Sequence, residues 1–152
     1  MAIAKALGGG FPVAACLATE RAAQGMTAGS HGSTFGGNPL AMAVANAVLD
    51  VMLADGFLDH VTAMGGYLAR GLDDLVKRHP GVAVEARGLG LMLGVKLVAD
   101  SRAMVGRLRE NGLLTVGAGD NVVRLLPPLI VEQPQIDEAL AILDRTFAEA
   151  AS

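Results

Sequence analysis

A single cysteine, Cys16, in 152 residues excludes an internal disulfide framework and a multi-cysteine zinc site. Alone, it reads as a small buried hydrophobe in a strand. An excess of positive charge is missing too. Twelve Lys and Arg stand against fifteen Asp and Glu, for a net charge of −3. The basic residues are scattered, which excludes a nucleic-acid partner held by phosphate neutralisation. No apolar run approaches the roughly 18 to 20 residues that cross a bilayer. Lys5 interrupts the short apolar stretch after Met1 and no basic segment precedes it, so no secretory signal is read and a cytoplasmic location is expected. Aromatics are few, one Tyr and four Phe, and Phe35 has no evident means of stacking on a planar ligand. Neither Gly-x-x-x-x-Gly-Lys-Ser/Thr nor Gly-x-Gly-x-x-Gly opening a helix occurs, so Gly8-Gly9-Gly10 is not read as a nucleotide loop. What is present is core: 52% of the residues are hydrophobic, too many for a disordered chain, and the length suits one ordinary domain.

Residues 11–18 are rich in Val, Ala and Leu and read as a strand, and residues 20–24 as a short helical turn. Residues 25–37 form a loop. Asn38 supplies an N-cap and Pro39 the first helical position. A helix then runs to about Asp55, with Leu40, Val44, Ala47, Val48 and Val51 as its apolar side and Gly56 as its stop. A second helix spans residues 58–79 on Leu68, Leu72, Leu75 and Val76. Gly65 and Gly66 weaken it by about 1 kcal/mol each, which points to close packing there. Strands are expected at 82–87 and 91–97, a helix at 101–110, and short strands at 113–116 and 122–126. A closing helix at 134–150 has Ile136, Leu140, Leu143 and Phe147 on one face.

Three places carry chemistry. The apolar run Ala2-Ile3-Ala4 ends on Lys5, shortly before Gly8-Gly9-Gly10-Phe11-Pro12. A buried ammonium is costly. Desolvation lowers its pKa and leaves an amine able to join a carbonyl as an imine. Glycines beside it leave room for a bulky group. The plain alternative is a lysine that reaches water. The second place is the loop Gly29-Ser30-His31-Gly32-Ser33-Thr34-Phe35-Gly36-Gly37-Asn38-Pro39. It reads either as a phosphate cradle through Thr34 and Ser33 at a helix N-terminus or as a plain capped turn. His31 is given no chemical role. The third is Arg124, which interrupts the apolar stretch Val122-Val123-Arg124-Leu125-Leu126-Pro127-Pro128-Leu129 and cannot shed its proton. It meets a carboxylate, either a ligand's or one within the domain. Arg87, before Gly88-Leu89-Gly90, reads as structural.

The first two segments, their Lys5-to-Thr34 spacing, and the Arg124 stretch resemble the class III, fold-type I aminotransferases that use pyridoxal phosphate (PLP). Within them the ornithine-type branch, with its acetylornithine enzymes, is most similar. The resemblance covers essentially the whole chain but only the C-terminal part of a family enzyme. It implies an α/β region followed by an α+β region. Residues 1–56 would end the cofactor-binding large domain, residues 57–79 form a bridging helix, and residues 80–152 form the small domain.

It further implies that Lys5 holds the cofactor covalently and shuttles a proton. Thr34, with Ser33, would bind the phosphate across a homodimer interface, and Arg124 a substrate carboxylate. The implied reaction moves the terminal amino group of N-acetylornithine to 2-oxoglutarate, in arginine biosynthesis. Ornithine, succinylornithine and ω-amino acid donors stay open. The partner of the pyridine nitrogen, the stacking aromatic and a further phosphate loop would precede Met1, so the chain by itself is expected to be a poor catalyst. The competing expectation is a non-catalytic, dimerising α+β module.

Overall fold

In the computed structural model, which describes residues 1–151, the chain divides between Leu58 and Asp59. The first unit opens with two two-residue strands, β1 (Ala2–Ile3) and β2 (Ala15–Cys16), paired antiparallel with Ala2 opposite Cys16. A single 3-10 turn, Lys5–Gly8, lies between them. Of the expected 11–18 strand, Ala15–Cys16 forms β2, and Leu17 extends the pairing by exchanging hydrogen bonds with Met1 at 2.8 and 2.6 Å. Cys16 lies in a strand but is exposed, contrary to the expectation of burial.

A four-residue helix, α1 (Glu20–Ala23), is capped by the Thr19 side chain. The glycine-rich loop follows, and then α2 (Pro39–Met52), whose N-cap Asn38 accepts from the Ala41 N–H at 2.9 Å. The helix ends earlier than expected, with the chain turning at Leu53 and Gly56 taking a φ of 80°. Its inward side also differs. Ala41 and Ala45 are buried and Val44 and Val48 half-buried, whereas Leu40, Ala47 and Val51 face outward. The turn after Lys5 docks on the Ala41–Val48 side, and a Cβ at Gly9 would stand 3.1 Å from Val48 Cγ2.

The second unit is an α+β layer pair. The helix α3 (Phe57–Arg78) begins two residues ahead of it. After α3 come β3 (Ala83–Leu89), β4 (Met92–Leu97), α4 (Ser101–Glu110), β5 (Val116–Ala118), β6 (Val122–Leu125) and α5 (Gln133–Ala150). The strands form one antiparallel sheet in the order β3-β4-β6-β5. Alternation sets its faces. Leu93, Val95 and Leu97 of β4 and Val123 and Leu125 of β6 point into the core, against Leu68, Leu72 and Leu75 of α3, Met104 and Leu108 of α4, and Ile136, Leu143 and Phe147 of α5. The opposite face carries Arg87, Gly94, Lys96 and Arg124.

Two glycines of α3 explain its close packing. A Cβ at Gly65 would lie 2.8 Å from the Gly90 backbone, and one at Gly71 would strike Leu140 at 2.3 Å. Gly66 meets only the flexible end of Arg70. Residues 113–115 are not the expected strand, because α4 ends in a Schellman cap. The Leu113 N–H reaches the Leu108 carbonyl at 2.8 Å and the Gly112 N–H the Arg109 carbonyl at 3.1 Å, which delays β5 to Val116. At the far end of α3, the His79 Nε2 and the Arg78 guanidinium both hold Asp144 of α5, each at 2.6 Å. These partners, His79 first, keep the Asp144 carboxyl below the usual range. Among the described residues no single helix is long and apolar enough to cross a membrane, and no cluster of metal-ligating side chains forms.

Candidate functional site

Lys5 begins the 3-10 turn with a left-handed backbone, φ 63°. That conformation brings the Cβ of an L-residue against its carbonyl and costs roughly 1–2 kcal/mol, so a non-glycine residue held there calls for a reason. The chain reverses at once: Gly9 and Gly10 have φ of 57° and 116°, and the Phe11 N–H returns to the Gly8 carbonyl at 2.9 Å. Two of the three glycines are consumed by packing rather than left as free room. A Cβ at Gly8 would strike Val13, and one at Gly9 would crowd Val48, while only Gly10 borders open space. The expected desolvation of Lys5 is absent from this unit. Its side chain is exposed. Lys5 nevertheless differs from the other two lysines. Lys77 is bound to Asp74 and Lys96 to Asp120, each at 3.0 Å, whereas no ion pair or hydrogen bond among the described residues engages the Lys5 amine.

The glycine-rich loop holds itself in shape. Ser30 Oγ donates to the Thr27 carbonyl at 2.7 Å, and the Asn38 amide to the Phe35 carbonyl at 2.8 Å, while the same Asn38 caps α2. Ser33 packs over Gly36, where a Cβ would come within 2.9 Å of its side chain. The hydroxyls of Ser33 and Thr34 engage no hydrogen bond among the described residues, and both side chains are exposed. His31 and Ser33 line a groove of about 700 Å³ with Pro12 and Cys16, and neither Lys5 nor Thr34 borders it. Within one chain, then, Lys5 and the hydroxyl pair are not bonded to one another.

In the second unit, Arg124 stands on β6 opposite Gly94 of β4, which stands opposite Arg87 of β3. Arg87 and Arg124 line one pocket of about 330 Å³ on the open face of the sheet. Arg124 Nε is buried with no hydrogen-bond partner, and no carboxylate among the described residues pairs with the guanidinium. The intradomain salt bridge considered for Arg124 is therefore not made. Arg87 is the paired one, with Glu85 at 3.0 Å and Asp120 at 2.9 Å.

Asp120 is the residue that sequence reasoning passed over. It and Asn121 take consecutive left-handed φ of 61° and 59° at the β5–β6 turn. The signal was available in Gly119-Asp120-Asn121 between two apolar runs, a hairpin-turn pattern. Asp120 also receives Lys96, and Lys96 and Arg87, in that order, hold its carboxyl below the usual range.

The family model described as Aminotransferase class-III matches residues 1–147. An acetylornithine aminotransferase of Brucella melitensis is 59% identical over 140 residues, which is 92% of this chain and 35% of that protein. Acetylornithine aminotransferase 1 of Bradyrhizobium diazoefficiens is 57% identical over all 152 residues, or 38% of its own length. The structure of ornithine δ-aminotransferase from Plasmodium falciparum superposes with a TM-score of 0.87 at 32% identity, over 97% of this chain and 39% of that one. The chain thus spans well under half the length of the relatives it matches.

Proposed function

This chain belongs to the class III aminotransferase family, and from that premise we propose that it carries three working parts of an acetylornithine-type aminotransferase. These are the cofactor lysine, the phosphate-binding hydroxyls and a carboxylate-reading arginine. The observation that carries the reading is Lys5: a strained, left-handed lysine with no partner among the described residues, in a chain whose other two lysines are tied to aspartates.

The residues present fit PLP. Lys5 offers an unengaged primary amine, and Thr34 and Ser33 offer unbonded hydroxyls for phosphate oxygens beside the N-terminus of α2, whose dipole favours an anion. PLP, when bound, supplies an electron sink that makes the amine-bearing carbon of the substrate acidic. Lys5 holds the cofactor through its amine and, when freed, moves a proton at that carbon. Arg124 receives a substrate carboxylate with its fork. Because Lys5 is exposed in a single chain, we assign its enclosure to a homodimer in which Thr34 of one copy serves the cofactor of the other.

In this reading, residues 1–56 end a cofactor-binding domain, residues 57–79 bridge, and residues 80–152 are the small domain. The substrates are N-acetylornithine and 2-oxoglutarate, in arginine biosynthesis in the cytoplasm. Identities of 57–59% to acetylornithine enzymes support that donor.

The test is to incubate the chain with PLP, reduce with borohydride and map the label by mass spectrometry. The label is expected on Lys5, and Thr34→Ala should weaken retention of the cofactor. Label spread over Lys77 and Lys96, or none, would overturn the reading in favour of a non-catalytic α+β module.

A further inference from the structure

Arg87, Gly94, Arg124 and Val116 form one row across the open face of the sheet, each directly opposite its neighbour. Adjacent strands lie about 4.8 Å apart, so the two arginine backbones stand roughly 10 Å from each other, with a residue that has no side chain between them. The Arg87 side chain reaches Asp120 at the β5–β6 turn, while a Cβ at Gly94 would strike Val122 Cγ1 at 2.5 Å. At its far end Asp120 accepts from Arg87 through Oδ2 at 2.9 Å and from Lys96 through both oxygens at 3.0 Å. Glu85 takes the other Arg87 nitrogen at 3.0 Å. Two cations, Arg87 and Arg124, line the pocket, and Lys96, Glu85 and Asp120 stand outside its lining. The two carboxylates bind Arg87 and Lys96 and leave Arg124 with none.

We propose that Asp120 is a specificity-positioning residue of this cleft: by occupying the Arg87 fork and the Lys96 ammonium, it leaves Arg124 as the single open cation, so that the cleft reads one carboxylate and not two. The inference rests on the reading of Arg124 as a carboxylate ligand. Its consequence is that the cleft receives a single substrate carboxylate. A second carboxylate, which only a dicarboxylic acceptor carries, finds no free cation there, and its recognition falls to another part of the site. Removing the Asp120 charge would free the one terminal Arg87 nitrogen that Glu85 does not hold, beside the pocket Arg87 already lines, and give a second carboxylate a cation to meet.

The experiment is a titration of the isotope-labelled chain with butyrate and with glutarate, following the Nε–H signals of Arg124 and Arg87. In the parent protein both acids should shift Arg124 with comparable affinity and leave Arg87 in place. Asp120→Asn keeps a residue that tolerates the left-handed turn and removes the charge. In that variant glutarate should also shift Arg87, and its affinity relative to butyrate should rise about tenfold, the effect of one added charged hydrogen-bonding group. An unchanged glutarate-to-butyrate ratio, with Arg124 still responding, would overturn the role of Asp120 and leave the carboxylate reading standing. No response of Arg124 to either acid in the parent would overturn both. Should Asp120→Asn not fold, Arg87→Gln serves instead. It leaves Asp120 only partly neutralised beside the cleft and should weaken butyrate binding several-fold, whereas unchanged or tighter binding would overturn the proposal.

Discussion

The two units of this chain divide labour unevenly. The Asp59–Ser152 unit buries leucines, valines and Phe147 between a four-stranded sheet and three helices. The Met1–Leu58 unit buries no hydrophobic side chain larger than alanine, Ala41 and Ala45, yet it holds the strained lysine and the free hydroxyls. Phe35 is 80% exposed and Phe147 fully buried, so the same side chain serves opposite ends in the two places. The difference is one between a unit that can be stable by its own burial and one whose geometry rests on turns, caps and glycine conformations. Chemistry-bearing backbone is found where packing is thin, which is the usual location of strained and mobile segments.

The sharpest way to break this contrast is to truncate the two phenylalanines. Phe147→Ala should cost about 3–5 kcal/mol, as large aromatic deletions in cores do, and Phe35→Ala should stay within about 0.5 kcal/mol. Urea unfolding of the two variants decides it, and equal costs would erase the distinction. Next in size, Gly65→Ala should destabilise by about 1–3 kcal/mol through overpacking, since its Cβ would press on the Gly90 backbone, despite the gain in helix propensity. Gly66→Ala, facing only the end of Arg70, should stabilise by up to about 1 kcal/mol.

In the thin unit the sign reverses. Lys5→Gly should relieve the left-handed residue, leaving local amide protection of the 3-10 turn unchanged or raised by up to about 1 kcal/mol, while abolishing cofactor labelling. The smallest effect concerns acid. Asp144 has a folded pKa below its unfolded value, so its contribution is present above the ordinary aspartate range and is lost as pH falls through the depressed value. Its side chain is 38% exposed, which limits the size of the effect by solvent screening. Denaturation of wild type and Asp144→Asn should differ at neutral pH and converge in acid.

Much of the second unit could be read from periodicity. The spacing of Leu68, Leu72 and Leu75, and of Ile136, Leu143 and Phe147, places those helices and their inward faces, because burial on one side enforces the period. In α2 the same rule chose Leu40 and Val51, which face outward, over Ala41 and Ala45, which face in. In a stretch of alanine and valine many faces look alike, and the 3-10 turn that selects one is set by glycine conformations far from it in sequence. The arginines were visible as charges within apolar strands. Which of them is paired was not, since Asp120 reaches Arg87 and Lys96 from 33 and 24 residues away. Lys5 was conspicuous by context, but hydropathy does not report its exposure.

The Asp120-Asn121 tip has a bearing on how this protein can vary. Asn121 donates to the carbonyls of Leu97 and Ala99 and accepts from the Ser101 N–H, so the residue beside the cleft's acid also anchors the start of α4. Surface hairpins commonly absorb an extra residue. Lengthening this one would detach two cations and three backbone groups together, so length here is fixed far more tightly than at an ordinary loop.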